Sequence, residues 1–221
     1  RMFYNPNKAA FRAGFALSSE WNDVNIGNQS FAGGRGTLAS GTYSTAFGFG
    51  TTASGTSSVA IGSSSNASGS YSTAIGFFTT ASNFSSIALG YQSVASSDYS
   101  IALGRGTTAS GIHSTVFGWD SEASGHSAVA GGLNNIASGA QSTAFGSNSN
   151  ATGSRSTAIG SYSVASGNYS VVFGSNNQSP SAFETTIGCY ATTYSPISTS
   201  AFNYSDKLFS IGNGITTASR S

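Results

Sequence analysis

A chain of 221 residues with 8 Lys and Arg, 7 Asp and Glu, 29 Gly and 46 Ser holds too few titratable groups for an average globular enzyme. Its basic residues stand singly, which excludes a stripe for nucleic acid or anionic lipid, and no run nears the ~18 apolar residues of a membrane span. The first twenty residues lack the basic start and apolar core of a signal peptide, and with Arg1 in first place the chain reads as a fragment or a processed product.

Composition alone would favour a chain that buries too little surface to offset its ordering entropy. Periodicity overturns that. Residues 1–29 are aperiodic and carry Phe3, Tyr4, Phe11, Phe15 and Trp21, with four charges between Lys8 and Asp23; they read as an N-terminal cap and lead-in. From residue 30 glycine recurs every 14 residues, from Gly34 and Gly48 to Gly174 and Gly188, at twelve positions without insertion or deletion. Units such as Ser58-Val59-Ala60-Ile61-Gly62 and Ser156-Thr157-Ala158-Ile159-Gly160 precede these glycines, and Ala-Ser-Gly follows half a unit later, as at Ala67-Ser68-Gly69.

Each unit holds a five-residue alternation of branched and small residues, the period-two pattern of a strand, between Gly, Ser and Asn turn signals. Fourteen residues suit one coil of a narrow β-solenoid with two short strands and two turns. The Gly of Ala-Ser-Gly, replaced by Asn83, Ser97 and Ser181 in three coils, is expected at a turn with φ > 0. Twelve coils at about 4.8 Å predict a rod roughly 50 to 60 Å long.

The central column of the strand is Ala in nine of twelve coils, with Val116, Val172 and Thr186 as exceptions; half a coil later Ala39 to Ala165 fill ten of eleven positions, with Ser179 the exception. These two columns are expected to face each other inside. The flanking columns then point outward. One is β-branched; the other reads Phe47, Ile61, Ile75, Leu89, Leu103, Phe117, Phe145, Ile159, Phe173 and Ile187, with gaps at Gly33 and Gly131. A ladder this long exposes roughly 500 Å² of apolar surface, at the top of what monomers leave wet. At about 1.5 to 3 kcal/mol per buried large aliphatic side chain the stripe outweighs an alanine interior, so obligate association is expected. A closed threefold homo-oligomer is preferred, although the spacing fits two chains as well as three.

Residues 189–221 break the period, and Pro196 with Tyr190, Tyr194, Phe202, Tyr204 and Phe209 suggests a C-terminal cap or transition segment. Cys189, the one cysteine, has no internal disulfide partner and reads as a lone thiol.

The Ser-Val-Ala-Ile-Gly unit repeated every 14 residues, with Ala-Ser-Gly between, resembles the head repeats of YadA-like trimeric autotransporter adhesins over residues 30–188. The resemblance implies an all-β, left-handed parallel β-roll, three chains per head, displayed on the outer surface of a cell and binding extracellular matrix, glycans or other surfaces. Family copies often carry Asn before the repeat Ser; here that column includes Tyr43, Tyr71, Tyr99, His113, Gln141, Arg155 and Tyr169. The family's neck, stalk and membrane anchor are expected outside this chain, and so is any membrane insertion. Similar repeats occur in phage and phage-like tail fibres, and Asp206-Lys207-Leu208-Phe209-Ser210-Ile211-Gly212-Asn213-Gly214 resembles segments of that group.

The functional expectation is a non-enzymatic adhesin head or receptor-binding fibre, with no cofactor, no metal and no catalytic residue; the alternative is a structural spacer of a tail fibre or surface filament. The densest titratable stretch, Asp98, His113, Asp120, Glu122 and His126, reads as solvated coil edges. Sequons such as Asn66-Ala67-Ser68 follow from the Ser-rich composition. Candidate surface contacts are the large residues after the repeat glycine: Phe49, Phe77, Phe78, Tyr91, Trp119 and Tyr162, facing a protein or glycan ligand or else a neighbouring chain. Ice binding through a threonine row is disfavoured: Thr51-Thr52, Thr79-Thr80 and Thr107-Thr108 occur in alternate coils, and Ser65-Asn66, Ser93-Val94 and Ser121-Glu122 interrupt them.

Overall fold

The structure is a computed structural model, and it describes residues 1–216; residues 217–221 of the expected C-terminal segment lie outside the described residues. The described residues are all-β apart from one turn of 3-10 helix at Asp23–Asn25. It falls into two compact units, residues 1–109 and 110–221.

In residues 1–109, strands Phe31–Arg35, Thr45–Phe49, Val59–Ser63, Thr73–Phe77, Ile87–Tyr91 and Ile101–Arg105 pair in parallel, each residue opposite the one 14 further on. Two-residue strands from Leu38–Ala39 to Thr108–Ala109 form a second parallel ladder with the same offset. Residues 110–216 repeat the arrangement, with long strands from Thr115–Trp119 to Thr185–Cys189 and short ones from Glu122–Ala123 to Gln178–Ser179. These are the parallel β-solenoid coils that a strict 14-residue period requires.

In each unit the parallel sheet takes in one strand beyond the repeats. Ala10–Phe15 pairs with Phe31–Arg35, with Arg12 opposite Ala32 and Gly14 opposite Gly34. Met2–Asn5 folds back antiparallel onto it. Phe209–Asn213 pairs with Thr185–Cys189, with Ile211 opposite Ile187 and Gly212 opposite Gly188.

Both alanine columns face inward and are fully buried, as are Val116, Val172, Thr186 and Ser179. Two hydroxyl columns share the interior. One runs from Thr37 and Thr51 to Ser163 and Asn177, three residues after the repeat glycine, and its Ser and Asn members bond from coil to coil: Ser65 Oγ donates to the Gly76 carbonyl at 3.0 Å, Ser93 Oγ to Gly104 at 2.8 Å, and Asn135 Nδ2 to Gly146 at 2.8 Å. These bonds meet the inward carbonyl of the next repeat glycine, which explains the small polar residue there. Burial of this column also rules out an ice-binding row: Thr51, Thr79 and Thr107 are interior, so the threonine pairs form no flat surface rank.

The turn chemistry also differs from expectation. Glycines of Ala-Ser-Gly do not take positive φ; they are needed for close approach, since a Cβ on Gly55 would lie 2.0 Å from the Gly69 carbonyl oxygen. Gly55 N–H donates to Ala67 O of the next coil, whereas Asn83, Ser97 and Ser181 turn their N–H to Ser86 Oγ, Ser100 Oγ and Glu184 Oε2, each at 3.2 Å. Positive φ falls two residues later, at Tyr43, Ser57, Tyr71, Ser85 and Tyr99, and at the repeat glycines themselves.

Arg12 occupies the interior column where later coils carry Ala. Its guanidinium donates to Ser30 O, Ser30 Oγ and Ala39 O at 3.0, 2.8 and 2.9 Å, and burial lowers its pKa to about 10, so it remains charged at neutral pH. Arg12→Ala should therefore destabilise the first coil by about 2–4 kcal/mol through lost packing and charged hydrogen bonds. Arg12→Lys should not restore it, because an ammonium lacks the guanidinium's planar fork. Hydrogen exchange at the Phe11 and Gly27 amides, which bond to Ser30 O and Ala39 O, is the measurement.

Candidate interaction surfaces

Strand alternation turns the expected apolar column outward. Phe47, Ile61, Ile75, Leu89 and Leu103 stand in direct register in the first unit, and Phe145, Ile159, Phe173, Ile187 and Ile211 in the second. Phe47 is 53% exposed and Phe173 44%, while Ile61, Leu89, Leu103, Phe145, Ile159 and Ile187 are half-buried by their own neighbours. The glycine gaps are closed by leaning rings. Phe117 and Phe145 approach to 5.6 Å between centroids over Gly131, where an added Cβ would meet the Phe117 ring at 2.4 Å. At Gly33 the Phe47 ring would be met at 2.8 Å. Beside this stripe the column Thr45, Val59, Thr73, Ile87 and Ile101 is half-buried.

The proposed contact residues fall into two columns. Phe49, Phe77, Tyr91 and Trp119 follow the repeat glycine directly, while Phe78 and Tyr162 come one residue later, at positive φ. All are exposed. Phe77, Phe78 and Tyr91 come together: Phe77 stacks on Tyr91 at 5.3 Å and meets Phe78 edge-on at 4.5 Å. Phe49 lies two coils earlier and carries Arg35 over its ring at 5.5 Å. Trp119 and Tyr162 belong to different coils of the second unit.

Contacts that sequence reading did not pick out join residues one coil apart. Phe84 bridges Tyr71 and Tyr99 with edge contacts of 5.4 and 5.5 Å. Arg105 lies 5.6 Å over Tyr91; Arg155 lies 5.2 Å over Tyr169, bonding its hydroxyl and Gln141 Oε1. Tyr169 stacks on Phe183 at 4.8 Å. The signal was available: in an in-register parallel coil, side chains about 14 positions apart are neighbours, so each arginine could be matched to an aromatic one period away.

The titratable stretch does not converge. Asp98 Oδ1 accepts from Phe84 N–H at 3.1 Å and Asn83 Nδ2 at 3.4 Å. His113 and His126 touch edge-on at 5.8 Å, and His126 Nδ1 pairs with Ser127 Oγ. Among the described residues no three His, Cys, Asp or Glu side chains gather as metal ligands, and no helix is long and apolar enough to cross a membrane. Cys189 is exposed and unbridged.

A parallel β-solenoid with an alanine-and-hydroxyl interior, an outward apolar stripe and aromatic rungs is the architecture of a repeat protein built from similar coils. Comparison with known families gives the YadA head domain repeat (2 copies) at residues 26–51, 39–64, 53–79, 81–107, 109–135, 137–163 and 151–177. The chain belongs to this family, whose repeats suggest an adhesin-type domain. A search of curated proteins found no match.

Proposed function

We propose that this chain is the head of a homotrimeric, non-enzymatic attachment protein, exposed at the outer surface of a cell and holding an extracellular protein or glycan through many weak, repeated contacts. The observation that carries this reading is the outward stripe from Phe47 to Leu103 and again from Phe117 to Ile187, side chains too apolar to stand in water over so many coils. Three chains closing around an axis would cover it, with Ile211, opposite Ile187, lengthening the seam at the C-terminal end. Residues 1–29 and 189–216 act as caps on the terminal coils. The columns of Phe49, Phe77, Tyr91, Trp119 and Tyr162 supply aromatic contacts along each chain, and repetition converts modest affinity into avidity.

Deleting residues 59–86 removes two whole coils and leaves the 14-residue register intact. Binding of the shortened protein to immobilised matrix proteins and a glycan array should fall several-fold or more while the far-ultraviolet spectrum per residue stays unchanged. If the full-length protein binds no such target, the attachment reading fails in favour of a structural spacer.

A further inference from the structure

The column just before each long strand, serine from Ser30 and Ser44 to Ser156 and Ser170 except at Ala128, ends on a carboxylate. Glu184 occupies that position in the last 14-residue coil and is 1% exposed. Its Oε2 lies 3.2 Å from Ser181 N, 3.2 Å from Ser181 Oγ and 3.2 Å from Tyr194 Oη, and Ser210 Oγ is 3.4 Å from Oε1. Two of these side chains come from the segment after the repeats, so the carboxyl is the point at which that segment meets the coil. The same place ties the segment down through the backbone. Lys207 N–H donates to Tyr194 Oη at 3.1 Å, Ser181 Oγ to Lys207 O at 2.9 Å, Ala182 N–H to Ser198 O at 3.2 Å and Asn168 N–H to Thr199 O at 2.8 Å.

Two other titratable groups face Glu184. Tyr194 donates to it, and Lys207 acts on it through space while its ammonium lies 4.7 Å from the Tyr194 ring centroid and bonds Thr192. A neutral serine would fit this column as it does in other coils; a carboxyl adds a group whose charge changes with pH inside the joint.

We propose that Glu184 is a protonation-dependent latch that fastens residues 190–208 onto the last coil, gripping in acid and loosening as the carboxyl ionises. Burial is the largest influence on the carboxyl and raises its pKa, against the pull of the Ser181 and Tyr194 hydrogen bonds and of Lys207. The docked form therefore holds the proton more tightly than the undocked one. Its extra stability is complete below the ordinary carboxylate pKa and is lost as pH rises through the docked value.

Hydrogen exchange of the Ala182, Asn168 and Lys207 amides, converted to opening constants between pH 4 and 8, tests this. Opening should increase with pH, by up to about tenfold per unit between the undocked and docked pKa values, and then level off. Glu184→Gln should flatten the profile and open less than wild type at neutral pH. Tyr194→Phe, which removes a donor to the carboxylate, should keep the pH dependence and move its midpoint upward. The Val129 amide, bonded to Ser142 O in the repeats, reports whether each variant's coils remain folded. Equal profiles in wild type and Glu184→Gln, or opening that increases towards acid, would overturn the latch. Should Glu184→Gln not fold, an unmoved midpoint in Tyr194→Phe overturns it instead. The latch does not depend on the attachment reading and stands or falls apart from it.

Discussion

Leu89→Asp combined with Leu103→Asp should break the assembled protein into single chains and lower its thermal midpoint sharply. The two residues are opposite each other in the parallel sheet and both point out of the coil. In a threefold assembly the pair of substitutions touches six side chains; each is already half-buried in its own chain, so about half of the ~1.5–3 kcal/mol of full burial remains for association, roughly 5 to 9 kcal/mol in all before the added cost of burying carboxylates. Thr52→Asp and Thr80→Asp, on the outward side of the short strands, carry the same charge and should leave the assembly intact. Light scattering after size exclusion reads the mass of each variant. Retention of the native mass by the leucine variant would show that the stripe is not the seam.

The second large effect concerns the repeat glycines. Gly62 has φ +116°, and a Cβ there would lie 2.0 Å from the Gly76 carbonyl oxygen of the next coil. Neither the torsion nor the space can be relieved without parting two strands, so Gly62→Ala should cost more than about 3 kcal/mol and open the sheet on both sides. Gly50 makes the contrast: its φ is +61°, and an added Cβ meets only Ser64 Oγ at 3.7 Å. Ser64 and Phe78 occupy the same column at nearly the same φ. Gly50→Ala should therefore cost only about 1–2 kcal/mol, the left-handed penalty alone. Denaturant titration of the two variants side by side measures the difference.

Much of this architecture is legible in the sequence because one number governs it. A strict 14-residue period without insertions dictates an in-register parallel ladder, and alternation within Ser-Val-Ala-Ile-Gly places Ala60 inside and Val59 and Ile61 outside. Alternation describes strands, not turns, and the misreadings lie there. Turn signals point to positive φ at the Gly of Ala-Ser-Gly, but the left-handed residue is the one before the repeat Ser, as at Tyr71 and Tyr99, the column where family copies often carry Asn, a residue that tolerates that conformation. Hydroxyls usually face water, which suggests a surface row at Thr51 and Thr79, whereas both are fully buried and Thr79 Oγ1 donates to Ser65 Oγ of the preceding coil at 2.9 Å.

The outer strands escaped for a different reason. Gly14 stands 20 residues before Gly34, and Gly212 stands 24 after Gly188, so neither falls on the period. Arg12 in place of the interior alanine disguises the first of them further, and its guanidinium can only be understood from the carbonyls it meets. Glu184 was invisible for the same reason: a lone carboxylate in a Ser-rich stretch reads as solvated until Tyr194 and Ser210 are brought against it.

Whether other copies of the chain cover the outward stripe is decided by sedimentation equilibrium of the unmodified protein in plain buffer at micromolar concentration. It should give a single species of three times the 22.2 kDa chain mass that does not dissociate on dilution. A folded, soluble species of 22.2 kDa would contradict it, because ten large apolar side chains would then be stable in water.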